Sequence, residues 1–449
     1  MNASTSTIAA GPAAARSATA AVATRVAAPS VARATPAARA IPAASTASAI
    51  PAVRTAPLSE SAFQDLVRSS IEFQWARFAY YRLLCARQDL GLSDLQAFIA
   101  DGAYHRLPSV ASTAFKLSKG LIEDLNDLSG PGVFQVSSST SGDPSYVYTS
   151  PEELAWITAR YGQTFGFPGV PVGLAFAPSL RILRALSAKA DYKGKKAVMR
   201  MLLGLEGGNA HYDETHVTVD VNILKTLLNR AVGRPASLRK MPAAKLASII
   251  HEAEDRGRPI SLGGLTLILR PYLDEFREGE FALGRNGHVA FSGGGYSGAK
   301  GSIRGAKIDK PDFIARIGAV FGIDPEFWSM NIKDIYSFTE TPAQIEGYWD
   351  RGLGDFLFRT APDHRVYVVD PETEAPLRSG RGLIKVVAPA VSGRSASATA
   401  SVLQFDTAEI VSARPDGRVE SFTHVSRFAG AEAPGTVGCA FKAAEIAGV

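Results

Sequence analysis

The sequence predicts an α/β protein, with a large core of alternating strands and helices followed by a smaller, mostly β portion. Strand and helix signals alternate through the middle of the chain, and strand signals crowd together after residue 360. With 46% hydrophobic and 20% charged residues over 449 positions, there is ample apolar material for a sizeable core. No apolar run approaches the roughly 18 to 20 residues that a membrane span requires. Two cysteines, Cys85 and Cys439, provide neither a disulfide framework nor a structural zinc site of their own, so a reducing, cytoplasmic setting is expected.

Residues 1–57 contain 23 alanines, no aromatic residue, and five arginines as their only charged side chains. Such a stretch has too few large side chains to repay chain ordering and reads as a disordered Ala/Pro/Ser-rich leader. It lacks the apolar run of a secretory signal, whereas an organellar transit peptide and a bland low-complexity leader both fit its composition. Setting those five arginines aside from the 48 basic residues leaves 43, equal to the 43 acidic ones. Residues 58–449 are therefore neutral, and no basic stripe argues for nucleic acid.

Order is expected from about Ser59, with an α/β core over 58–385 and a small C-terminal portion over 386–449. Ser61 and Gln64 have the spacing of a capping box, and Phe63, Val67, Ile71, Trp75, Phe78, Arg82 and Cys85 trace one side of a single long helix. Past Leu107-Pro108 a short strand, Val133 to Val136, runs into a hydroxyl-rich stretch. A helix then opens with Ser150 as N-cap, Pro151 at its first position and Glu153 three residues on. Strands are expected at Val172 to Phe176, Pro259 to Leu262 and His288 to Phe291. Helices are expected at Leu180 to Ala190, Val221 to Ala231, Ala243 to Glu254 and Lys310 to Phe321. The strand-rich end comprises Val366 to Asp370, Gly382 to Val387, Val402 to Phe405 and Arg418 to Val425.

Several motifs carry little chemistry by themselves. Gly293-Gly294-Gly295-Tyr296-Ser297-Gly298 has the letters of a dinucleotide fingerprint, but no helix opens there and no acid closes a later strand, so it reads as a glycine turn. Lys300 is wrongly placed for a nucleotide P-loop. His211 and His216 lack a third metal ligand at suitable spacing and read as part of a polar loop. His251, in the run HEAED, reads as helix surface. No Gly-x-Ser-x-Gly elbow anchors a hydrolase triad.

Four elements are more informative. Ser137-Ser138-Ser139-Thr140-Ser141-Gly142 could surround phosphate oxygens with hydroxyl and amide donors, the alternative being a solvated linker. Tyr336-Ser337-Phe338-Thr339-Glu340-Thr341 offers an aromatic face for a base, a hydroxyl for a phosphate and a carboxylate for Mg²⁺, the alternative being a strand end with a turn. Asp406, expected to end an apolar strand, could accept both hydroxyls of a ribose. Arg427 follows it in Val425-Ser426-Arg427-Phe428.

In order and spacing these elements resemble the adenylate-forming superfamily. Within it they are similar to the acyl-protein synthetase family (LuxE-type), which is related to phenylacetate-CoA ligases. Leu107-Pro108, Phe115-Lys116, Ser145, Gly293-Gly294-Gly295, Asp370-Pro371-Glu372-Thr373, Gly382-Leu383 and Gly438-Cys439 look like landmarks of that family. The resemblance covers roughly residues 60 to 445 and implies an adenylate-forming (ANL-like) α/β fold with a small, truncated C-terminal portion. It implies ATP- and Mg²⁺-dependent activation of a fatty or other hydrophobic carboxylic acid to an acyl-adenylate, then transfer to a thiol.

By position, the resemblance assigns Ser137 to Gly142 to the β- and γ-phosphates and Gly293 to Gly295 to the acyl and adenine pocket. It packs Tyr336 on adenine, directs Thr339 to the α-phosphate and Glu340 to Mg²⁺, and gives Asp406 the ribose and Arg427 the hinge region. Cys439, after a flexible Gly-Thr-Val-Gly stretch and at the start of a short predicted helix, is the expected acyl acceptor. Handover to a reductase or acyltransferase partner would follow. Ser139, Ser141 and Ser337 depart from the family pattern, and Lys442 is the only lysine after Arg427. Two alternatives remain: an acyl- or aryl-CoA ligase with CoA as acceptor, and a degenerate, non-catalytic adenylate-fold subunit.

Overall fold

Helix α1 (Glu60–Arg77) begins where the Ser59 hydroxyl accepts the Ala62 amide at 3.2 Å, leaving the predicted Ser61–Gln64 box unformed. Gln64 instead donates to the carbonyls of Ile99 and Ala100, tying α1 to α3 (Leu92–Ala100). The long helix expected through Cys85 breaks at Phe78, which adopts extended backbone, and resumes as α2 (Ala79–Ala86). Arg82 satisfies carbonyls freed at the break, donating to Trp75 at 2.6 Å and Ala76 at 3.0 Å. The computed structural model describes residues 58–137, 143–222, 238–292, 294–296, 299–300, 303–304 and 307–428. The predicted leader and the predicted helix after Asn222 lie outside them.

Among the described residues, thirteen strands form one mixed sheet. Its parallel half contains, in spatial order, β6 (Glu214–Val221), β4 (Val172–Pro178), β8 (Ile260–Gly264), β9 (Gly287–Ser292) and β12 (Ile332–Ser337). The period-two pattern Val217, Val219, Val221 extends β6 over the start of the predicted helix at Val221. His216 lies in this strand and His211 closes α7 (Arg200–His211), so the two do not share a loop. The edge strand β7 (Leu238–Lys240) pairs antiparallel with β6.

Beyond β12 the sheet turns antiparallel through β13 (Gln344–Asp350), β14 (Asp355–Arg359), β15 (Arg365–Val369), β16 (Gly380–Val387), β17 (Ser401–Ala413) and β18 (Arg418–Arg427). β18 bonds β14, β15 and β17, so β15 to β18 close into a ring. The far edge is β1 (Val110–Ala111), paired parallel with Val402 and Leu403 of β17. A separate three-stranded sheet joins β2 (Val133–Val136) to β3 (Tyr146–Thr149) and β5 (Ala197–Met199). β10 (Ala299–Lys300) and β11 (Ile303–Arg304) form a small hairpin.

Two apolar cores use opposite faces of the sheet. On one, Leu246, Ile250, Leu269, Ile314 and Ile317 from later helices pack on Leu262, Phe291, Ile384 and Val386. On the other, Phe63, Val67, Ile71, Tyr81 and Phe115 pack on Leu383, Val387, Leu403 and Phe405. Helix α4 (Ile122–Leu125) contributes Leu125 to the second core. Cys85 is fully buried there, and burial pushes its thiol up to about 12, which makes it unreactive.

Ser150 caps α5 (Pro151–Phe165) as predicted, accepting the Glu153 amide at 3.2 Å. Helix α6 (Leu180–Ser187) follows β4. Helices α5 and α7 meet through glycine: a Cβ on Gly207 would lie 2.2 Å from the Thr158 carbonyl oxygen and 2.8 Å from the Gly162 nitrogen. This close crossing sets the side chains of α5 against the first turn of α7.

Candidate active site

The glycine turn and the Tyr336 segment leave the carboxyl ends of adjacent parallel strands. Ser292 at the end of β9 pairs with Ile335 of β12, so Tyr336, the next residue of β12 and still paired with Ile345 of β13, lies beside the start of the turn. Crevices at the carboxyl ends of parallel strands are where open α/β sheets bind ligands. Gly294 and Gly295 have φ of 65° and 98°, a backbone suited to glycine. The Thr266 hydroxyl donates to the Gly294 carbonyl at 2.9 Å, and a Cβ on Gly295 would fall 2.8 Å from that hydroxyl oxygen. Gly294 and Gly295 thus form the expected turn, while Gly293 lies outside the described residues.

Asp406, Tyr336 and Arg427 meet although they come from separate strands. The Tyr336 hydroxyl donates to Asp406 Oδ2 at 2.9 Å, and Arg427 Nη1 lies 3.3 Å from Asp406 Oδ1. β17 pairs Asp406 directly with Arg427 of β18. The apolar strand does not end at Asp406, as the sequence suggested, but continues to Ala413, because pairing with β16 and β18 carries it through Thr407 and Glu409. The Arg427 side chain is 64% exposed, so this ion pair faces solvent on one side and Tyr336 on the other.

Burial, reinforced by Asp406, pushes the Tyr336 phenol well above its ordinary range, keeping it a donor. Two residues earlier, Asp334 accepts from the Tyr296 hydroxyl at 3.2 Å through Oδ2, while its buried Oδ1 has no partner. Burial raises the Asp334 carboxyl to about 6 despite the opposing Lys310 charge. Sequence reading passed over Asp334. Its signal was an acid placed among Ile332, Ile335 and Tyr336 in an apolar strand.

Past Ser337 the chain turns back into β13, with Thr339, Glu340 and Thr341 all buried in the turn. Burial of three polar residues shows that this turn is packed into the protein and is not a solvated connection. Glu340 is close enough for its charge to act on the Tyr336 phenol. Ser337, where the family pattern has glycine, shares a hydrogen bond of 3.1 Å with the Tyr161 hydroxyl of α5, so the extra side chain is accommodated.

Of the hydroxyl-rich loop, Ser137 is described and Ser138, Ser139, Thr140, Ser141 and Gly142 lie outside the described residues. The loop's base is closed, because the Ser145 amide donates to Ser137 Oγ at 2.9 Å and the Ser137 amide returns to the Ser145 carbonyl. Ser145 Oγ is buried without a partner. Lys116 bridges to Ser145, which places the predicted Phe115-Lys116 landmark at the mouth of the loop. Cys439 also lies outside the described residues.

The largest feature missed from sequence is Arg200, the first residue of α7. It is 7% exposed and donates to the Tyr161 hydroxyl at 2.6 Å, to Gln135 Oε1, and to the Thr341 carbonyl at 3.3 Å. Its partners are 39, 65 and 141 residues away in sequence, so no local pattern announces it. Among the described residues no group of three or more His, Cys, Asp or Glu side chains could hold a metal by itself. A Mg²⁺ ion that takes most of its oxygens from phosphates and water needs only one or two protein carboxylates, and this turn offers one, Glu340.

No family model matches the chain, and no curated protein matches its sequence. Among solved structures, the fold is similar to that of a 2-hydroxyisobutyryl-CoA ligase in an open conformation with 2-HIB-AMP and CoA. The TM-score is 0.51 at 13% identity, over 81% of this chain and 73% of that one. The same ligase with 2-HIB-AMP and CoA in its thioesterification state gives a TM-score of 0.50 at 14% identity, over 82% and 68% of the two chains. This chain therefore has the α/β fold of adenylate-forming enzymes.

Proposed function

We propose that the protein is an ATP- and Mg²⁺-dependent ligase that converts a hydrophobic carboxylic acid to an acyl-adenylate and passes the acyl group to a thiol. The observation that carries this reading is the meeting of Tyr336, Asp406 and the glycine turn at the carboxyl ends of β9 and β12, beside a buried Thr339-Glu340 turn. A nucleoside fits this inventory: Tyr336 offers a ring face to a base, and Asp406 accepts from ribose hydroxyls. The Asp406 oxygens are already held by Tyr336 and Arg427, which fixes the carboxylate before ribose arrives.

The substrate carboxylate attacks the α-phosphorus against strong like-charge repulsion, and pyrophosphate leaves. Mg²⁺ held by Glu340 and phosphate oxygens would supply charge compensation there. Thr339 would hydrogen-bond the α-phosphate, and the hydroxyls of the segment Ser137 to Gly142 are the donors we assign to the β- and γ-phosphates. Arg427, exposed at the end of β18, approaches the nucleotide from the solvent side.

The acceptor we assign is Cys439, whose thiolate would displace AMP and hold the acyl group as a thioester for a reductase or acyltransferase. A second reading makes CoA the acceptor, and the CoA present in both similar ligase structures favours it. Pyrophosphate exchange across a panel of carboxylic acids tests the adenylation half, and folded protein with no exchange for any acid overturns it. Labelled acid with ATP then separates the acceptors. Hydroxylamine-sensitive label on wild type but not on Cys439→Ser supports Cys439, whereas free acyl-CoA formed only when CoA is added supports CoA.

A further inference from the structure

On the reverse side of the strands that carry the Asp406–Arg427 pair, Arg381 of β16 reaches across both β17 and β18. Successive residues of a strand point to opposite faces, so Thr407 and Ser426, which follow Asp406 and precede Arg427 and pair with each other, lie on that reverse side. Arg381 Nε and Nη2 donate to Thr407 Oγ1 at 3.1 and 2.9 Å, and Nη2 also donates to Ser426 Oγ and to the His424 carbonyl at 3.0 Å. A planar fork of several donors is the group that can bind three residues on two strands at once.

These partners surround a β-bulge. Between the pairs Thr407–Ser426 and Glu409–Thr423, β17 has one residue, Ala408, whereas β18 has two, His424 and Val425. The extra residue shifts the register of everything beyond it. Continued from Glu409 and Thr423 without the bulge, the ladder would set Ser426, and not Arg427, opposite Asp406. His424 takes the bend with φ of 51°, a left-handed backbone that a histidine keeps only where its surroundings hold it. Its ring Nδ1 lies 2.9 Å from Asp355 Oδ2, its carbonyl is held by Arg381, and Lys310 fixes Asp355 in turn at 2.6 and 2.7 Å.

Resting on the reading of Asp406 as the ribose contact, we propose that Arg381 is the positioning residue that keeps this bulge in register, holds Arg427 opposite Asp406 and so gives the site its preference for a nucleotide with intact ribose hydroxyls. It acts through Thr407, Ser426 and His424, from the face of the strands opposite the ion pair.

The test is calorimetric titration of the full chain with AMP and, separately, with 2′,3′-dideoxy-AMP. Wild type is expected to prefer AMP by about tenfold or more, the worth of hydroxyl hydrogen bonds to a charged carboxylate. Arg381→Gln is expected to cut that preference to about threefold or less while dideoxy-AMP binds within about twofold of wild type, because only the contact to the hydroxyls is displaced. Arg381→Lys keeps the charge but not the fork and is expected to recover part of the preference without restoring it. Thr407→Val removes the hydroxyl that accepts from both Nε and Nη2 and is expected to narrow the preference as well, which keeps the idea testable if Arg381→Gln does not fold. A folded Arg381→Gln or Thr407→Val that keeps the wild-type preference, or that weakens both nucleotides equally, overturns the proposal and leaves the ribose role of Asp406 standing. Wild-type protein that binds the two nucleotides equally, or binds neither, overturns that role and this proposal with it.

Discussion

Replacing Glu153 by glutamine should stabilise the protein, and only at neutral to alkaline pH. Glu153 follows the N-cap of α5, is 6% exposed, and accepts from the Ser395 hydroxyl at 3.4 Å. Burial raises its carboxyl from 4.5 to about 7, with Ser395 and the Arg200 charge opposing the rise. The folded state therefore holds this proton to higher pH than the unfolded chain does. Between those two values stability falls as pH rises, because folding favours the protonated form. A displacement of that size corresponds to about 3 kcal/mol, fully expressed above pH 7 and below about 1 kcal/mol at pH 5. Glutamine keeps the shape and carries no charge at any pH, so Glu153→Gln should match wild type closely at pH 5 and exceed it by up to about 3 kcal/mol at pH 8. Urea unfolding at both pH values, without nucleotide, measures the difference. A gain independent of pH, or a loss at pH 8, would refute the reasoning.

Three further outcomes follow from the same geometry. Glu340→Gln should remove pyrophosphate exchange while leaving the unfolding free energy in urea within about 1 kcal/mol of wild type, and near-normal exchange would show the turn is not the Mg²⁺ site. Asp406→Asn should weaken ATP binding more than it slows turnover, since a ribose contact exists in ground and transition states alike; slowed turnover with unchanged ATP affinity would contradict that role. Gly207→Ala places a methyl group 2.2 Å from the Thr158 carbonyl oxygen and should destabilise the fold by about 1 to 3 kcal/mol; a neutral effect by urea unfolding would mean α7 can move away from α5 freely.

What the sequence revealed was local in origin. Ser150, Pro151 and Glu153 announce α5, and Asp309 with left-handed Gly322 bounds the helix Lys310–Phe321, because caps act within one turn. Tyr336, Asp406 and Arg427 were legible as residue types in a fixed order along the chain. Their meeting was not legible, because it depends on the β17–β18 pairing that closes the ring. The full length of β17 was hidden for the same reason: Thr407, Glu409 and Ser412 interrupt its apolar pattern and are tolerated only because strands flank it. The break at Phe78 could not be read either, since helical spacing continues across it and the compensating Arg82 contacts to Trp75 and Ala76 form only once the break exists.

The pairing of β1 with β17 also sets an order of events at the ribosome. The Ser109 and Ser401 hydroxyls that meet at this junction are 292 residues apart. At a synthesis rate of about 5 to 20 residues per second, Ser401 is made about 15 to 60 s after Ser109. Throughout that interval Phe63, Val67, Ile71, Tyr81 and Phe115 have no Leu403 or Phe405 to pack against. The first-made helices are thus the last to find their core, whereas β4, β6, β8, β9 and β12 pair among themselves earlier in synthesis. For most of its time on the ribosome the nascent chain carries an uncovered apolar surface at its leading end, the kind of surface on which holding chaperones act and from which aggregation starts.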